Sequence, residues 1–145
     1  MIDPPFLTRA AADKILNKRP VKRKPVSQES GLQIACVRWF RMQYRDYSKL
    51  LFAIPNGGHR NKAVATKLKA EGVLAGVPDL LLAVPSGRFC GLFIEMKVRY
   101  QDGSKNYASP EQKEVMAGLH KQGYQVATCY DLTEFILTIN EYLIP

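Results

Sequence analysis

Apolar and polar residues follow two rhythms along this chain. From Ser27 onward, Leu32, Ala35, Cys36, Trp39, Phe40 and Met42 recur at helical spacing, with Arg38, Arg41 and Arg45 between them. That spacing predicts an amphipathic helix over about residues 28–45. The apolar run LLFAIP follows, stopped by Pro55-Asn56-Gly57-Gly58, which predicts a strand and then a turn. Residues 60–71 are polar and basic and predict a helix closed by Gly72. PDLLLAV (78–84) and GLFIEMKV (91–98) predict two buried strands, with Ser86-Gly87 as the turn of a hairpin. After the loop YQDGSKNYA, Ser109-Pro110-Glu111-Gln112 forms a complete helix start. It has a capping serine, a proline at the first helical position and a glutamine at the third. This helix runs to about Lys121 and ends at Gly123. YQVATCY (124–130) predicts another strand. Asp131-Leu132-Thr133-Glu134 predicts a second capping box, opening a last helix to about Tyr142. The order α-β-α-β-β-α-β-α predicts an α/β sandwich around a mixed sheet of about four strands.

Residues 1–27 follow neither rhythm. NKRPVKRKPV sets two prolines among five bases, too little apolar surface to fold alone. The segment is expected to be a basic, flexible leader, with a short helix near residues 8–17, ahead of one domain over 28–145. The length of 145 residues fits that single domain. Hydrophobic residues at 46% and charged residues at 23% exclude collagen, coiled-coil rods and wholesale disorder. No apolar run approaches the roughly 18 residues needed to span a bilayer. MIDPPFLTRAAADK also lacks the apolar stretch of a secretory signal. The expected location is the cytoplasm, or the nucleus for a eukaryotic source.

Charge changes the picture further. Lys and Arg number 21 against 13 Asp and Glu, a net +8. Residues 1–25 carry seven of the bases and two of the acids. A basic surplus fits a polyanion, nucleic acid first and acidic membrane second, and it also serves plain solubility. Cys36, Cys90 and Cys129 are odd in number and lack zinc-ligand spacing with His59 and His120. They are expected to be reduced thiols.

The candidate chemistry lies on the predicted hairpin. Strand side chains alternate faces, so Glu95 and Lys97 point the same way and Met96 the other. Asp79 begins the neighbouring strand, where its carboxylate can lie across from Glu95. Charges on strands this apolar are normally paired or metal-bound. Mg²⁺ favours oxygen ligands, takes one or two protein carboxylates and keeps waters or substrate phosphate. It also lowers the pKa of water and neutralises phosphate charge, as phosphodiester hydrolysis requires. The plainer possibility is that Asp79 caps a turn while Glu95 and Lys97 line a solvated sheet face.

GVPDLLLAV followed by GLFIEMK resembles the PD-(D/E)XK nuclease superfamily. The ordered series Glu29 in ESGLQIACVRWF, the IPNGG turn, KAEGVLAGVPDLLL and SPEQKEVMAGLHKQGYQVATCYD resembles its stand-alone VRR-NUC branch. The likeness spans about residues 28–142. It implies a restriction-endonuclease-like three-layer sandwich and Mg²⁺-dependent cleavage of DNA, with Mn²⁺ as a substitute. It further implies that Asp79 and Glu95 bind the metal, with the Met96 carbonyl as a further ligand. Lys97 would position or activate the attacking water and stabilise the pentavalent phosphate. Glu29 would ligate a second metal or orient water, with Gln33 one turn later on the same face. Gln112 would steady Lys97 or a phosphate as well as cap its helix. Asn56, Gly57, Gly58, His59, Arg60 and Lys62 would meet the nucleic-acid backbone. Stand-alone members of this branch resemble structure-specific resolvases, so branched DNA, the four-way junction first, is the expected substrate. A homodimer is the expected assembly, because symmetrical cutting needs two sites. A flap or single-strand nuclease, a nickase, and a non-catalytic DNA-binding module are the rival classes.

Overall fold

A computed structural model describes residues 28–55, 61–100 and 102–144. The leader at 1–27, with its predicted short helix, lies outside the described residues. So do Asn56, Gly57, Gly58, His59 and Arg60. The first helix, α1, covers Gln28–Gln43 and passes into a single 3-10 turn at Arg45–Tyr47. Then come β1 (Leu51–Ala53), α2 (Lys62–Ala70), β2 (Leu80–Leu82), β3 (Leu92–Met96), α3 (Pro110–Lys121), β4 (Gln125–Cys129) and α4 (Leu132–Leu143). The predicted order of elements holds throughout.

The sheet runs β1-β2-β3-β4. The first two pairings are antiparallel and β3–β4 is parallel, with α3 as the crossover. The β2–β3 hairpin forms as predicted, with Leu80 opposite Ile94. Its connection is pinched by reciprocal backbone bonds between Ser86 and Phe89, with Gly87 at φ 55°. Both strands are shorter than their apolar runs. Pro78 offers no N–H to the ladder, so β2 starts only at Leu80.

Alternation along the strands separates two faces. Leu80, Leu82, Leu92, Ile94, Met96 and Cys129 share a buried cluster with Cys36 and Phe40 of α1 and Phe135 and Ile139 of α4. Phe93 and Glu95 point to the opposite side, where Phe93 packs edge-on against Tyr124, the residue that leads from α3 into β4. Two helices below the sheet and α3 above it make three layers. Hydrogen bonds fix the edges of the core: Tyr142 donates to the Val84 carbonyl at 2.6 Å and Tyr44 to Asn140 Oδ1 at 2.6 Å. Trp39 meets both Tyr44 and Phe135 edge-on, so the aromatic stripe of α1 belongs to the core. Cys36 and Cys129 are buried free thiols and Cys90 is an exposed one.

Helix starts obey local chemistry. Asn61 caps α2 by accepting from Ala63 N at 3.0 Å, which moves that helix's start past the expected residue 60. Ser109 and Gln112 form a full capping box on α3. The second predicted box is only half made. Asp131 accepts from Glu134 N at 2.8 Å, but the Glu134 carboxylate turns to Tyr130 N and Arg99. No helix among the described residues is long and apolar enough to cross a membrane.

Candidate active site

The hairpin register brings three charged groups together at one end of the sheet. Asp79 precedes β2 and so lies level with Glu95 on β3. Its Oδ2 accepts the Met96 N–H at 2.8 Å. Lys97 Nζ lies 2.8 Å from Glu95 Oε1. Glu95 is only 2% exposed and Lys97 only 7%. Two ionisable groups at such depth are rare unless paired, and here the pair is mutual.

The environment shifts all three pKa values upward. Burial raises Asp79, against the lowering effect of the Met96 N–H and Lys97. Burial also raises Glu95; Lys97 opposes this, while the charges of Asp79 and Glu29 add to it. Burial works against the Lys97 charge too. The hydrogen bond and charge of Glu95, helped by Glu29 and Asp79, outweigh it and raise its pKa. Lys97 is therefore held as an ammonium.

Gln112 joins the site from α3. Its Nε2 donates to Glu95 Oε1, while its Oε1 accepts from Ser109 N at 2.9 Å. The cap and the site are thus served by one side chain, and the site partner is Glu95, where the sequence pointed to Lys97 or a phosphate. Glycine makes this approach feasible. A Cβ on Gly76, at φ +87°, would sit 2.9 Å from the Glu111 carbonyl oxygen and 3.1 Å from Gln112 N. The backbone leading to Asp79 therefore rests directly on the first turn of α3. Gly76 lies inside the GVPD segment, so its place three residues before the aspartate was the available signal.

One polar atom here lacks a partner. Glu95 Oε2 is buried and, among the described residues, the one buried side-chain oxygen or nitrogen with no hydrogen bond. An orphaned carboxylate oxygen beside a second carboxylate fits a hard cation. No group of three or more His, Cys, Asp or Glu side chains with metal-holding placement occurs among the described residues. A donor set of two carboxylates suits Mg²⁺, which keeps several waters, better than a metal that needs an all-protein cage.

The remaining predicted residues are less closely gathered. Glu29 lies in the first turn of α1, half-buried, and its charge reaches both Glu95 and Lys97. Gln33 lines an open groove along α1 with Ser30, Ile34 and Arg38. Met96 contributes its N–H to Asp79. Lys62 opens α2 as an exposed residue whose carbonyl accepts from Thr66.

A feature the sequence did not show follows β3 directly. Residues 98–100 pair back against 104–106 as a small hairpin through the Arg99–Lys105 bridge. Asp102 secures its tip by accepting from Ser104 N and Oγ. Arg99 and Lys105 each stand 5.2 Å from the centre of the Tyr130 ring. Arg99 also pairs with Glu134, tying this hairpin to the start of α4. No residue type in YQDGSKNYA announces that contact.

Comparison with known proteins supports the same region. No curated protein sequence matches the chain. A solved structure of a VRR_NUC domain protein is 28% identical, covers 83% of this chain and 91% of its own, and superposes with a TM-score of 0.67. The family model for the VRR-NUC domain matches residues 14–131, beginning inside the basic leader and taking in Asp79, Glu95, Lys97 and Gln112. The chain belongs to the VRR-NUC family, a nuclease-type domain.

Proposed function

We propose that this protein is a divalent-metal-dependent endonuclease that hydrolyses phosphodiester bonds in branched DNA, acting as a Holliday junction resolvase. The observation that carries the proposal is the buried Glu95–Lys97 pair beside the half-buried Asp79, with its unpartnered Glu95 oxygen. Asp79 and Glu95 would hold Mg²⁺, or Mn²⁺ in its place, with the Met96 carbonyl and Glu29 as further ligands. The metal, when bound, supplies charge neutralisation of the phosphate and a more acidic water.

The chain's own groups do the rest. In the metal-free protein Lys97 is held as an ammonium, a hydrogen-bond donor beside the position of the attacking water. Its work is to orient water and to stabilise the negative charge that grows on the phosphate. Gln112 and Lys97 together hold Glu95 in one orientation. Asn56, Gly57, Gly58, His59, Arg60 and Lys62 are assigned to the nucleic-acid backbone. The basic residues of 1–25 add affinity that falls with salt. Paired cuts across a junction require two sites, so the assembly is a homodimer.

The test uses the full chain on a labelled four-way junction, matched duplex, flap and single strand with Mg²⁺, Mn²⁺ or EDTA. Lys97→Ala is run beside it, with circular dichroism to confirm folding. Paired, symmetrical, metal-dependent cuts on the junction that vanish in folded Lys97→Ala are expected. Cleavage confined to the flap or single strand would replace the resolvase with a different nuclease. Binding without cleavage under every condition would leave a DNA-binding module.

A further inference from the structure

The two oxygens of Glu95 are treated differently by the fold. Oε1 receives two donors, Lys97 Nζ at 2.8 Å and Gln112 Nε2. Oε2 receives none among the described residues, although it is buried. The Gln112 amide is locked in the sense that produces this asymmetry. Its oxygen accepts the Ser109 N–H at 2.9 Å. Turning the amide over would set its NH₂ against that N–H and its oxygen against Glu95 Oε1, two contacts between like groups. The helix cap therefore dictates which end of Gln112 faces the carboxylate. Asp79 shows the same division, with Oδ2 committed to the Met96 N–H at 2.8 Å.

We propose that Gln112 is a positioning residue that makes Glu95 a one-oxygen ligand, and so tunes the site toward a small hexacoordinate cation. The proposal rests on the metal-dependent reading above and adds to it the means of ion selection. With Oε1 held by two donors, only Oε2 is free for an ion. Mg²⁺ and Mn²⁺ accept so sparse a set, because water and phosphate oxygens fill their remaining positions. Ca²⁺ takes six to eight oxygens and often grips a carboxylate through both. Without the amide, Oε1 loses one of its two donors and Glu95 can turn to offer both oxygens. The structural linkage runs outward from there. Gly76 presses the Asp79 segment onto the first turn of α3, so the same helix start sets both carboxylates.

The test is calorimetric titration of the full-length, metal-free protein with MnCl₂ and with CaCl₂, without DNA. Gln112→Ala and Gln112→Asn are compared with wild type, and thermal melts confirm that each is folded. The asparagine side chain keeps an amide but is one methylene too short to bridge Ser109 and Glu95. Ser109→Ala is the control. It removes the hydroxyl that accepts from Gln112 N at 3.2 Å but keeps the backbone N–H that locks the amide. Both Gln112 variants are expected to bind Mn²⁺ about tenfold more weakly, the usual scale for an outer-sphere contact. Ca²⁺ affinity should hold, so the Ca²⁺/Mn²⁺ ratio moves by about tenfold toward Ca²⁺. Ser109→Ala should leave that ratio unchanged. Wild-type ratios in both Gln112 variants would reduce Gln112 to a helix cap. An equal shift in Ser109→Ala would assign the effect to the cap and overturn the proposal. Failure of the wild type to bind either ion would overturn both the metal-dependent reading and this one.

Discussion

The two faces of β3 carry opposite loads. Leu92, Ile94 and Met96 point into the cluster formed with α1 and α4, and each such side chain contributes roughly 1.5–3 kcal/mol by leaving water. Phe93 and Glu95 point the other way, and Lys97 continues that side past the end of the strand. All are buried. On this second side burial raises the pKa values of Asp79 and Glu95, which means that lost solvation disfavours their ionised forms. One strand thus supports the fold on one face and carries chemical tension on the other. The two faces can be perturbed separately.

The sharpest perturbation is Lys97→Ala. It leaves Glu95 buried without its cation, which costs about 3–5 kcal/mol. Urea unfolding of the metal-free protein at pH 7.5 measures it. The sign of the pH effect follows from Glu95. Its folded pKa lies above its unfolded value through burial, so the fold binds a proton more tightly than the unfolded chain does. Loss of Lys97 widens that gap. The destabilisation should shrink as pH falls from 7.5 to 5; an equal loss at both would show that the pair is uncoupled.

Leu80→Ala sets the contrasting case on the other face. Its expected cost is about 3 kcal/mol, and it should be the same at both pH values because no ionisable partner is involved. Asp79→Asn works in the opposite direction. Removing a carboxylate whose charge the site disfavours should stabilise the metal-free protein by about 1 kcal/mol. It should also abolish the rise in Tm that the metal-dependent reading expects Mn²⁺ to give the wild type. An unchanged Mn²⁺ effect would remove Asp79 from the ligand set. The smallest effect concerns thiols. Burial pushes Cys36 up to about 12, and Cys129 is raised by the same cause. Native protein treated with iodoacetamide at pH 7.5 should gain one label, on Cys90, and unfolded protein three, as read by mass spectrometry.

Much of this contrast is written locally. The capping serine at 109, the proline after it and the alternation of LFIEM specify a helix start and two strand faces from neighbouring residues alone. The meeting of Asp79 with Glu95 needed one further inference, a hairpin, and the Ser86-Gly87 turn supplied it. What escaped depends on contacts across long stretches of chain. Glu134 has the spacing of a capping box, yet Arg99, 35 residues away in sequence, draws its carboxylate off. Gln112 was legible as a cap and as a site residue, but its choice of Glu95 over Lys97 follows from where α3 docks. The small hairpin after β3 left only the Asp102-Gly103 pair as a trace, because its pairing is a single bridge among polar residues.

Gly76 gives the site a vulnerability that a search for functional groups would miss. It bears no side chain and touches no charge, yet the atoms its Cβ would meet are backbone atoms of Glu111 and Gln112, which have no rotamer to yield. A substitution there must lift the Asp79 segment away from α3 as a body. In a saturation scan scored by survival of activity, position 76 would behave like Asp79 or Glu95, while a scan scored by protein abundance would penalise position 76 and spare Asp79, because the clash and the positive φ strain the fold itself. The gap between two such maps would outline the reagents of this molecule, as distinct from the parts that serve as spacers.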